Sequence, residues 1–151
     1  MPKRTTHEAA SCAVARPLDV IGDQWTLLII RDALEGATRF GQFQKSLGLA
    51  KNILSSRLQS LLANGLLETM PATDGSPYQE YILTEKGRAL FPVITALRQW
   101  GDAYFFEDDE VRPRLVDSAH GRPVAPVEVR SADGAILTPD AVSIAMTRVD
   151  R

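Results

Sequence analysis

The fold is decided by residues 36–67, GATRFGQFQKSLGLAKNILSSRLQSLLANGLL. Apolar residues at helical spacing predict one helix over Arg39–Leu47, with Thr38 as its N-cap. Gly48–Leu49 then predicts a tight turn. A second helix is predicted from about Lys51 to Ala63, before the chain turns into a hairpin. Two helices around a tight turn, followed by a hairpin, are the core of a winged helix-turn-helix.

The second of these helices has two chemically different faces. Four leucines share one side and predict its burial: Leu54, Leu58, Leu61 and Leu62. The opposite side is small and polar: Asn52, Ser56, Gln59, Ser60 and Asn64. An ordinary solvated face usually carries pairs of Glu and Lys instead. The lack of such pairs favours a surface that meets a partner.

Residues 36–67 also form a basic island in an acidic chain. They carry a formal charge of +4 with no Asp or Glu, whereas the whole chain carries −2. The cations are Arg39, Lys45, Lys51 and Arg57. A local basic face favours an anionic partner, and the commonest one for such a segment is the nucleic-acid backbone.

Patterns on either side predict the neighbouring elements. A short helix is predicted over Arg16–Ile21 and a buried helix over Gln24–Leu34. Two strands are predicted over Leu66–Met70 and Tyr78–Thr84, joined by a loop of turn residues.

A long helix is predicted from Glu85, with Thr84 as its N-cap. Pro92 lies inside this helix and removes the hydrogen bond to the carbonyl of Arg88, at a cost of about 3 kcal/mol. We therefore expect a kink near Arg88–Pro92.

After Phe106 the composition changes. Following the acidic run Glu107–Glu110, short strands are predicted at Leu115–Val116, Val124–Arg130 and Ala135–Leu137, with a short helix starting at Pro139. The expected fold class is therefore α+β, mainly α, with a β-rich C-terminal extension. The expected organisation is a flexible N-terminus over 1–11, a winged helix-turn-helix domain with a long dimerisation helix over 12–106, and the extension over 107–151.

Length and composition restrict the class of protein. A chain of 151 residues with 44% hydrophobic and 24% charged residues suits one globular domain with a real core. No signal peptide or membrane span is recognisable, so no membrane partner is expected. The single cysteine, Cys12, excludes an intrachain disulfide and favours a reducing compartment. Cytoplasmic localisation is expected.

One segment closely resembles a known family. Arg16–Asp32, RPLDVIGDQWTLLIIRD, resembles the opening of HxlR-type transcriptional regulators. Further landmarks follow in the family's order: Arg39–Phe40, Leu54–Ser55, Arg57–Leu58, Gly65–Leu66, Tyr81, Leu83–Thr84, Gly87, Pro92–Val93 and Trp100–Gly101. The resemblance implies a homodimeric, sequence-specific winged-helix regulator, expected to be a repressor, that binds a pseudo-palindromic operator in double-stranded DNA without a cofactor.

Within that picture the basic island divides into two sets of contacts. Base-edge contacts are predicted for Asn52, Ser56 and Gln59, with Ile53 touching a thymine methyl. Phosphate contacts are predicted for Arg39, Lys45, Lys51 and Arg57. A plain solvated helix face is the alternative for the first set. Arg57 has its own alternative, in which it folds over the core and bridges an acid.

Cys12 matches the cysteine position that thiol-sensing relatives use. A sensor thiol must be exposed and have a lowered pKa, to which Arg16, one helical turn on, could contribute. The alternative is a small buried hydrophobe. A small molecule or an electrophile is accordingly a candidate effector, and the extension could pack on the dimer or shape an effector cleft.

Three features depart from the family pattern. Ala50 stands where a Ser or Thr would cap the recognition helix, and a missing cap costs about 1 kcal/mol. The expected wing, Pro71–Glu80, has no basic residue and carries Asp74 near its tip. Some relatives have a C-terminal extension with paired cysteines, and because this chain has no cysteine after Cys12, no metal is predicted there.

Two other functions compete with DNA binding. The acidic wing is compatible with a winged-helix module that binds proteins and not DNA. An enzyme is the weakest hypothesis, because no phosphate loop, metal-ligand cluster or nucleophile triad is recognisable.

Overall fold

The structure is a computed structural model that describes residues 5–148. Residues 1–4, at the start of the segment expected to be flexible, and residues 149–151 of the extension lie outside the described residues. The chain forms two compact units, Met1–Ile94 and Thr95–Arg151.

Most of the secondary structure is helical. The helices are α1 Ala15–Ile21, α2 Thr26–Leu34, α3 Phe40–Leu47, α4 Lys51–Ala63, α5 Glu85–Arg88 and α6 Phe91–Tyr104, and a 3₁₀ turn covers Pro139–Ala141. The strands β1 Leu67–Pro71 and β2 Gln79–Leu83 pair antiparallel, from Leu67 opposite Leu83 to Pro71 opposite Gln79. The expected winged helix-turn-helix is confirmed, and its two central helices begin within one residue of the predicted positions. In the part of the chain that the structure describes, no helix is long and apolar enough to cross a bilayer.

The core of the N-terminal unit joins three helices and the hairpin. Fully buried side chains come from α2, α3, α4 and β1: Ile29, Ile30, Phe43, Leu54, Leu58, Leu61 and Leu67. The predicted leucine face of α4 is thus confirmed for three of its members, whereas Leu62 is half-buried. Burying each such side chain contributes about 1.5–3 kcal/mol, so this face fixes the rotation of α4 about its axis.

The helix starts differ in part from the prediction. Thr38 was expected to cap α3, but Arg39 occupies the N-cap position. The side chain of Gln42 satisfies this end of the helix, because its Oε1 accepts from the backbone N–H groups of Thr38 at 2.8 Å and Arg39 at 3.0 Å. Thr84 is the confirmed cap of α5, and its Oγ1 accepts from the N–H of Gly87 at 3.1 Å.

Pro92 has a stronger effect than the predicted kink. The expected single helix from Glu85 is interrupted after Arg88, and α6 begins at Phe91. The N–H of Leu90 bonds to the carbonyl of Gly87 at 3.1 Å, a tightened turn that ends α5. Because proline has no N–H to offer Arg88, the helical ladder stops there.

The prediction of a β-rich extension with three strands was also wrong. In place of three strands, the extension within residues 107–148 has two isolated pairings, Val116 with Pro123 and Arg130 with Ile136. Pro126 lies inside the predicted strand Val124–Arg130, and it lacks the N–H that a continuous ladder needs. The short helix expected at Pro139 is present as the 3₁₀ turn.

Gly87 is required where α5 approaches the hairpin. A Cβ at this position would lie 2.2 Å from the carbonyl oxygen of Leu66 and 2.9 Å from Cδ2 of Leu83. We predict that Gly87→Ala lowers the free energy of unfolding by about 1–3 kcal/mol, because the backbone must shift to relieve the overlap.

The matched control is Gly41→Ala in α3, where the added Cβ meets nothing within 4 Å. This change should raise the free energy of unfolding by about 0.5–1 kcal/mol through helix propensity. Urea unfolding monitored by circular dichroism measures both. Equal stability of the two variants would contradict the close packing of α5.

Candidate nucleic-acid interface

The structure places the predicted base-reading side chains together on the open face of α4. Asn52, Ile53, Ser56 and Gln59 are all exposed, opposite the buried leucines. Ile53 is 41% exposed, although its neighbour Leu54 in the same helix is fully buried. These side chains are therefore all accessible to a partner that approaches the open face of α4.

The beginning of α4 is positively polarised. Ala50 occupies the N-cap position and, as expected from its side chain, makes no capping hydrogen bond. The first turn contains no acid, and Lys51 is exposed there. The free N–H groups, the helix dipole and this ammonium all favour an anion at the same end of α4.

Sequence reasoning missed Ser55 as a member of this surface. Ser55 is exposed and lines an open depression together with Phe40, Lys51 and Asn52. Its position three residues after Asn52 could have revealed it, because residues at i and i+3 are neighbours on a helix surface.

The four cations of the basic island are not equivalent. Lys45 and Lys51 are exposed, and in the described range 5–148 neither has an acid within ion-pair distance. The two arginines, in contrast, are paired with acids that lie outside residues 36–67 in the sequence.

Arg39 is held by the wing. Its Nη2 lies 2.5 Å from Oδ2 of Asp74 and 3.7 Å from Oε1 of Glu80. The N–H of Ser76 and the guanidinium of Arg39 together hold the pKa of Asp74 at about 2. Asp74 also accepts from the Ser76 N–H at 3.0 Å, which shapes the tip of the hairpin. Another anion, such as a phosphate, can therefore bind the guanidinium of Arg39 only in competition with the carboxylate of Asp74.

Arg57 adopts the alternative considered from the sequence. Its Nε lies 3.7 Å from Oδ1 of Asp23, and this nitrogen is buried with no hydrogen-bond partner among the described residues. The same Oδ1 caps α2 by accepting from the N–H groups of Trp25 at 2.8 Å and Thr26 at 2.9 Å. Burial acts to raise the pKa of Asp23, but the hydrogen bonds from Thr26 and Trp25 and the charge of Arg57 lower it overall. Asp23 thus links the start of α2 to α4.

Cys12 is exposed, so it is not the buried hydrophobe of the alternative interpretation. Its Sγ accepts from the N–H of Ala15 at 3.3 Å. Hydrogen bonds from the backbone of Ala15 and Val14 lower the pKa of the Cys12 thiol. The expected source, Arg16, is occupied elsewhere, because its Nε donates to the carbonyl of Ala10 at 2.5 Å.

Comparison with known proteins points to one family. Residues 20–109 match the family described as HxlR-like helix-turn-helix. The chain is 44% identical over 99 residues to Rv3095 of Mycobacterium tuberculosis, described as an uncharacterized HTH-type transcriptional regulator. That match covers 66% of this chain and 63% of the relative, so it spans less than two thirds of the relative's length. YdeP of Bacillus subtilis, with the same description, is 33% identical over 101 residues, covering 66% of this chain and 79% of YdeP.

Two solved structures extend the comparison. PA1607, provisionally identified as a transcription factor, is 56% identical with a TM-score of 0.90, covering 95% of this chain and 100% of PA1607. The redox regulator HypR in its reduced form is 30% identical with a TM-score of 0.56, covering 61% of this chain and 92% of HypR. The similarity to PA1607 therefore includes the C-terminal extension.

The pairing of Arg39 with the wing can be tested through the titration of Asp74. We predict that Arg39→Gln raises the pKa of Asp74 from about 2 part of the way to its ordinary 3.8, because the Ser76 N–H remains. Since the pKa is depressed in the folded chain, the pair stabilises the fold above pH 3.8 and this stabilisation disappears as the pH falls through about 2.

Nuclear magnetic resonance titration of the Asp74 side-chain carbonyl measures the change. Arg57→Gln is the control, because Arg57 faces Asp23 and leaves Asp74 untouched. An Asp74 pKa that is the same in wild type and Arg39→Gln would contradict the ion pair.

Proposed function

The chain belongs to the family of HxlR-like helix-turn-helix proteins, and we propose that it is a sequence-specific DNA-binding transcription regulator. The observation that carries this proposal is the exposed, acid-free face of α4, with Lys51 at its positively polarised start. A helix of this length fits the major groove, where a helix-turn-helix places its second helix. The regulator acts in the cytoplasm, where bacterial and archaeal DNA lies.

The side chains divide by role. Asn52 and Gln59 offer an amide oxygen and an amide nitrogen, the pair that matches adenine in the major groove. Ser56 accepts or donates, and Ile53 provides an apolar contact for a thymine methyl. Lys45 and Lys51 contact phosphates, which sets affinity and register but carries no sequence information.

The two arginines have conditional roles. Arg39 contacts phosphate when DNA competes with Asp74 for its guanidinium, so the acidic wing weakens binding and favours release. Arg57 stays with Asp23 and supports the orientation of α4, and its contact with phosphate is secondary.

A homodimer is favoured by the outer face of α6. Leu97, Trp100, Tyr104 and Phe105 are all exposed, Trp100 by 55% and Tyr104 by 75%. The first three recur at i, i+3 and i+7, so they form one apolar stripe along the helix. An isologous interface built on this stripe would bury it in a two-fold dimer. Two α4 helices would then meet half-sites about 34–36 Å apart on a pseudo-palindromic operator, at which we propose repression.

The competing function is a protein-interaction module that does not bind DNA. The pairing of Arg39 with Asp74 favours this interaction module, because the ion pair neutralises one cation of the basic surface. Selection of bound duplexes from a random pool with the purified protein separates the two functions. An enriched, roughly palindromic sequence supports the regulator, and a pool without enrichment or salt-sensitive binding supports the module.

The phosphate contacts give a quantitative prediction. Lys45→Gln and Lys51→Gln should each lower the slope of log K against log salt by about 0.9 and weaken binding to every duplex sequence, because each removes one neutralised phosphate. Fluorescence anisotropy at several salt concentrations measures both quantities. Arg122→Gln is the matched control, because it removes one cation from an exposed residue of the extension. A slope that falls equally in the control would refute the assignment.

The base contacts give a different prediction. Gln59→Ala or Asn52→Ala should reduce discrimination at one base position, by about 1–3 kcal/mol, while leaving the salt slope unchanged. Repeating the selection with each variant identifies the position. Uniform weakening on all sequences would show that these side chains do not read bases.

A further inference from the structure

Residues 141–147 of the extension, AVSIAMT, have the pattern of a β-strand without a partner. This segment contains no charged residue, no Pro and no Gly, unlike a solvated coil, which is rich in all three. Val142, Ile144 and Met146 alternate with small side chains, the period-two pattern of a strand with one buried face. Val142 has extended backbone angles, φ −123° and ψ 155°. The segment is therefore suited to join a sheet.

The 141–147 segment exposes both its apolar face and its backbone. Ile144 is 94% exposed, Met146 81% and Val142 50%. No backbone group from 142 to 147 forms a hydrogen bond with another described residue. Ala141 marks the change, because its N–H still bonds to the carbonyl of Thr138 at 2.9 Å. An exposed apolar strand with unpaired backbone groups is a template for pairing with another chain.

The 141–147 segment is complementary to a second copy of itself. When two copies run antiparallel about a two-fold axis at Ile144, Val142 of each copy lies opposite Met146 of the partner subunit. The apolar side chains of both copies then share one face, because side chains alternate along a strand. Ser143 and Ala145 meet on the other face. This register gives the unpaired backbone groups partners along the segment.

Charges at the two ends of the segment favour the same register. Asp140 directly precedes the segment and Arg148 directly follows it, and both are exposed. Asp140 keeps its charge, since it accepts from the neutral hydroxyl of Thr138. Antiparallel pairing centred on Ile144 brings Asp140 of each copy towards Arg148 of the partner subunit, whereas parallel pairing would align like charges. The flanking charges therefore favour antiparallel pairing of two identical segments.

The apolar face of the paired strands needs cover, because a two-stranded ribbon alone is only marginally stable. Trp100, Tyr104 and Phe105 of the same unit are 55%, 75% and 68% exposed. At about 200 Å² per aromatic side chain, these three expose about 400 Å² per subunit, half of the about 800 Å² that each partner buries in a standard interface. The apolar side chains of the segment enlarge this area, so the α6 stripe and the strand pair together suit a stable dimer.

We propose that the 141–147 segments of two copies pair as antiparallel strands across the two-fold axis of the dimer, with Ile144 of each copy opposite the other. The occupant of the unpaired strand edge is thus a second copy of this chain. The proposal deepens the homodimer of the proposed function and rests on it. The extension then contributes directly to dimerisation, in addition to α6.

Disulfide cross-linking of the full chain tests the register, in a Cys12→Ser background that removes the single native thiol. Ile144→Cys should form a covalent dimer on mild oxidation, because opposite Cα atoms of an antiparallel pair lie about 4.5–5.5 Å apart, within disulfide range. Val142→Cys alone should cross-link at least about tenfold less, since its two copies are offset by about 14 Å along the strands. Co-expressed Val142→Cys and Met146→Cys chains should cross-link with each other.

A charge at the centre of the strand pair tests its contribution to dimer stability. Ile144→Lys should raise the dissociation constant of the dimer by about tenfold or more, because like charges then lie opposite each other and apolar contact is lost. Val111→Lys is the matched control, since Val111 is 98% exposed in the same unit but lies outside the segment and α6. Its dissociation constant should stay within about twofold of wild type. Sedimentation equilibrium measures both variants, and circular dichroism confirms that the exposed substitutions leave the subunit folded.

The outcomes separate the strand pair from the proposed function. A wild-type dimer in which Ile144→Cys does not cross-link, in which Val142→Cys alone cross-links equally well, or in which both lysine variants dissociate alike overturns the strand pair and leaves the homodimer standing. A wild-type protein that sediments as a monomer overturns the strand pair and the homodimer together. Cross-linking through Ile144→Cys in a protein that shows no DNA binding by fluorescence anisotropy overturns the proposed regulator and leaves the strand pair standing.

Discussion

Burial of one leucine face on α4 is the constraint on which the N-terminal unit depends. Leu54, Leu58 and Leu61 are enclosed by side chains of α2, α3 and the hairpin, and turning α4 by a quarter of a turn would expose them. The cost of that exposure is several times about 1.5–3 kcal/mol, a large part of the stability of a small domain. The same rotation that buries the leucines therefore presents Asn52, Ile53, Ser56 and Gln59 to the outside. The core determines which side chains are available to a partner.

Two acids from outside residues 36–67 neutralise part of the positive charge of this surface. Residues 36–67 contain no acid, but Asp23 from the start of α2 and Asp74 from the hairpin reach Arg57 and Arg39. The unpaired cations of the island are then Lys45 and Lys51 within the range that the structure describes. A partially neutralised surface binds polyanions less strongly than the sequence charge of the island suggests.

The extension shows how proline directs a chain away from regular structure. Apolar residues between 115 and 137 predicted strands, but the prolines in this segment have no N–H to donate to a strand ladder. The segment is instead attached to α6 by Gln99, which bonds to the backbone of Ala125 and Val127, and by Arg112, which binds the carboxylate of Asp102. Between this irregular backbone and α6 lies a cavity lined by charged, polar and apolar side chains.

The sequence by itself determined the elements that depend on near neighbours. The helices α1 to α4, the hairpin, the leucine face and the Thr84 cap follow from periodicity and capping chemistry that act within a few residues. The family was recognisable for the same reason, since its motifs are short and ordered. Only the tertiary structure decided the pairing of Arg39 with Asp74, 35 residues away, and of Gln99 with Ala125, 26 residues away. Such pairs depend on how separate elements pack, and because many acids and carbonyls lie at comparable sequence distances, no local pattern selects one of them.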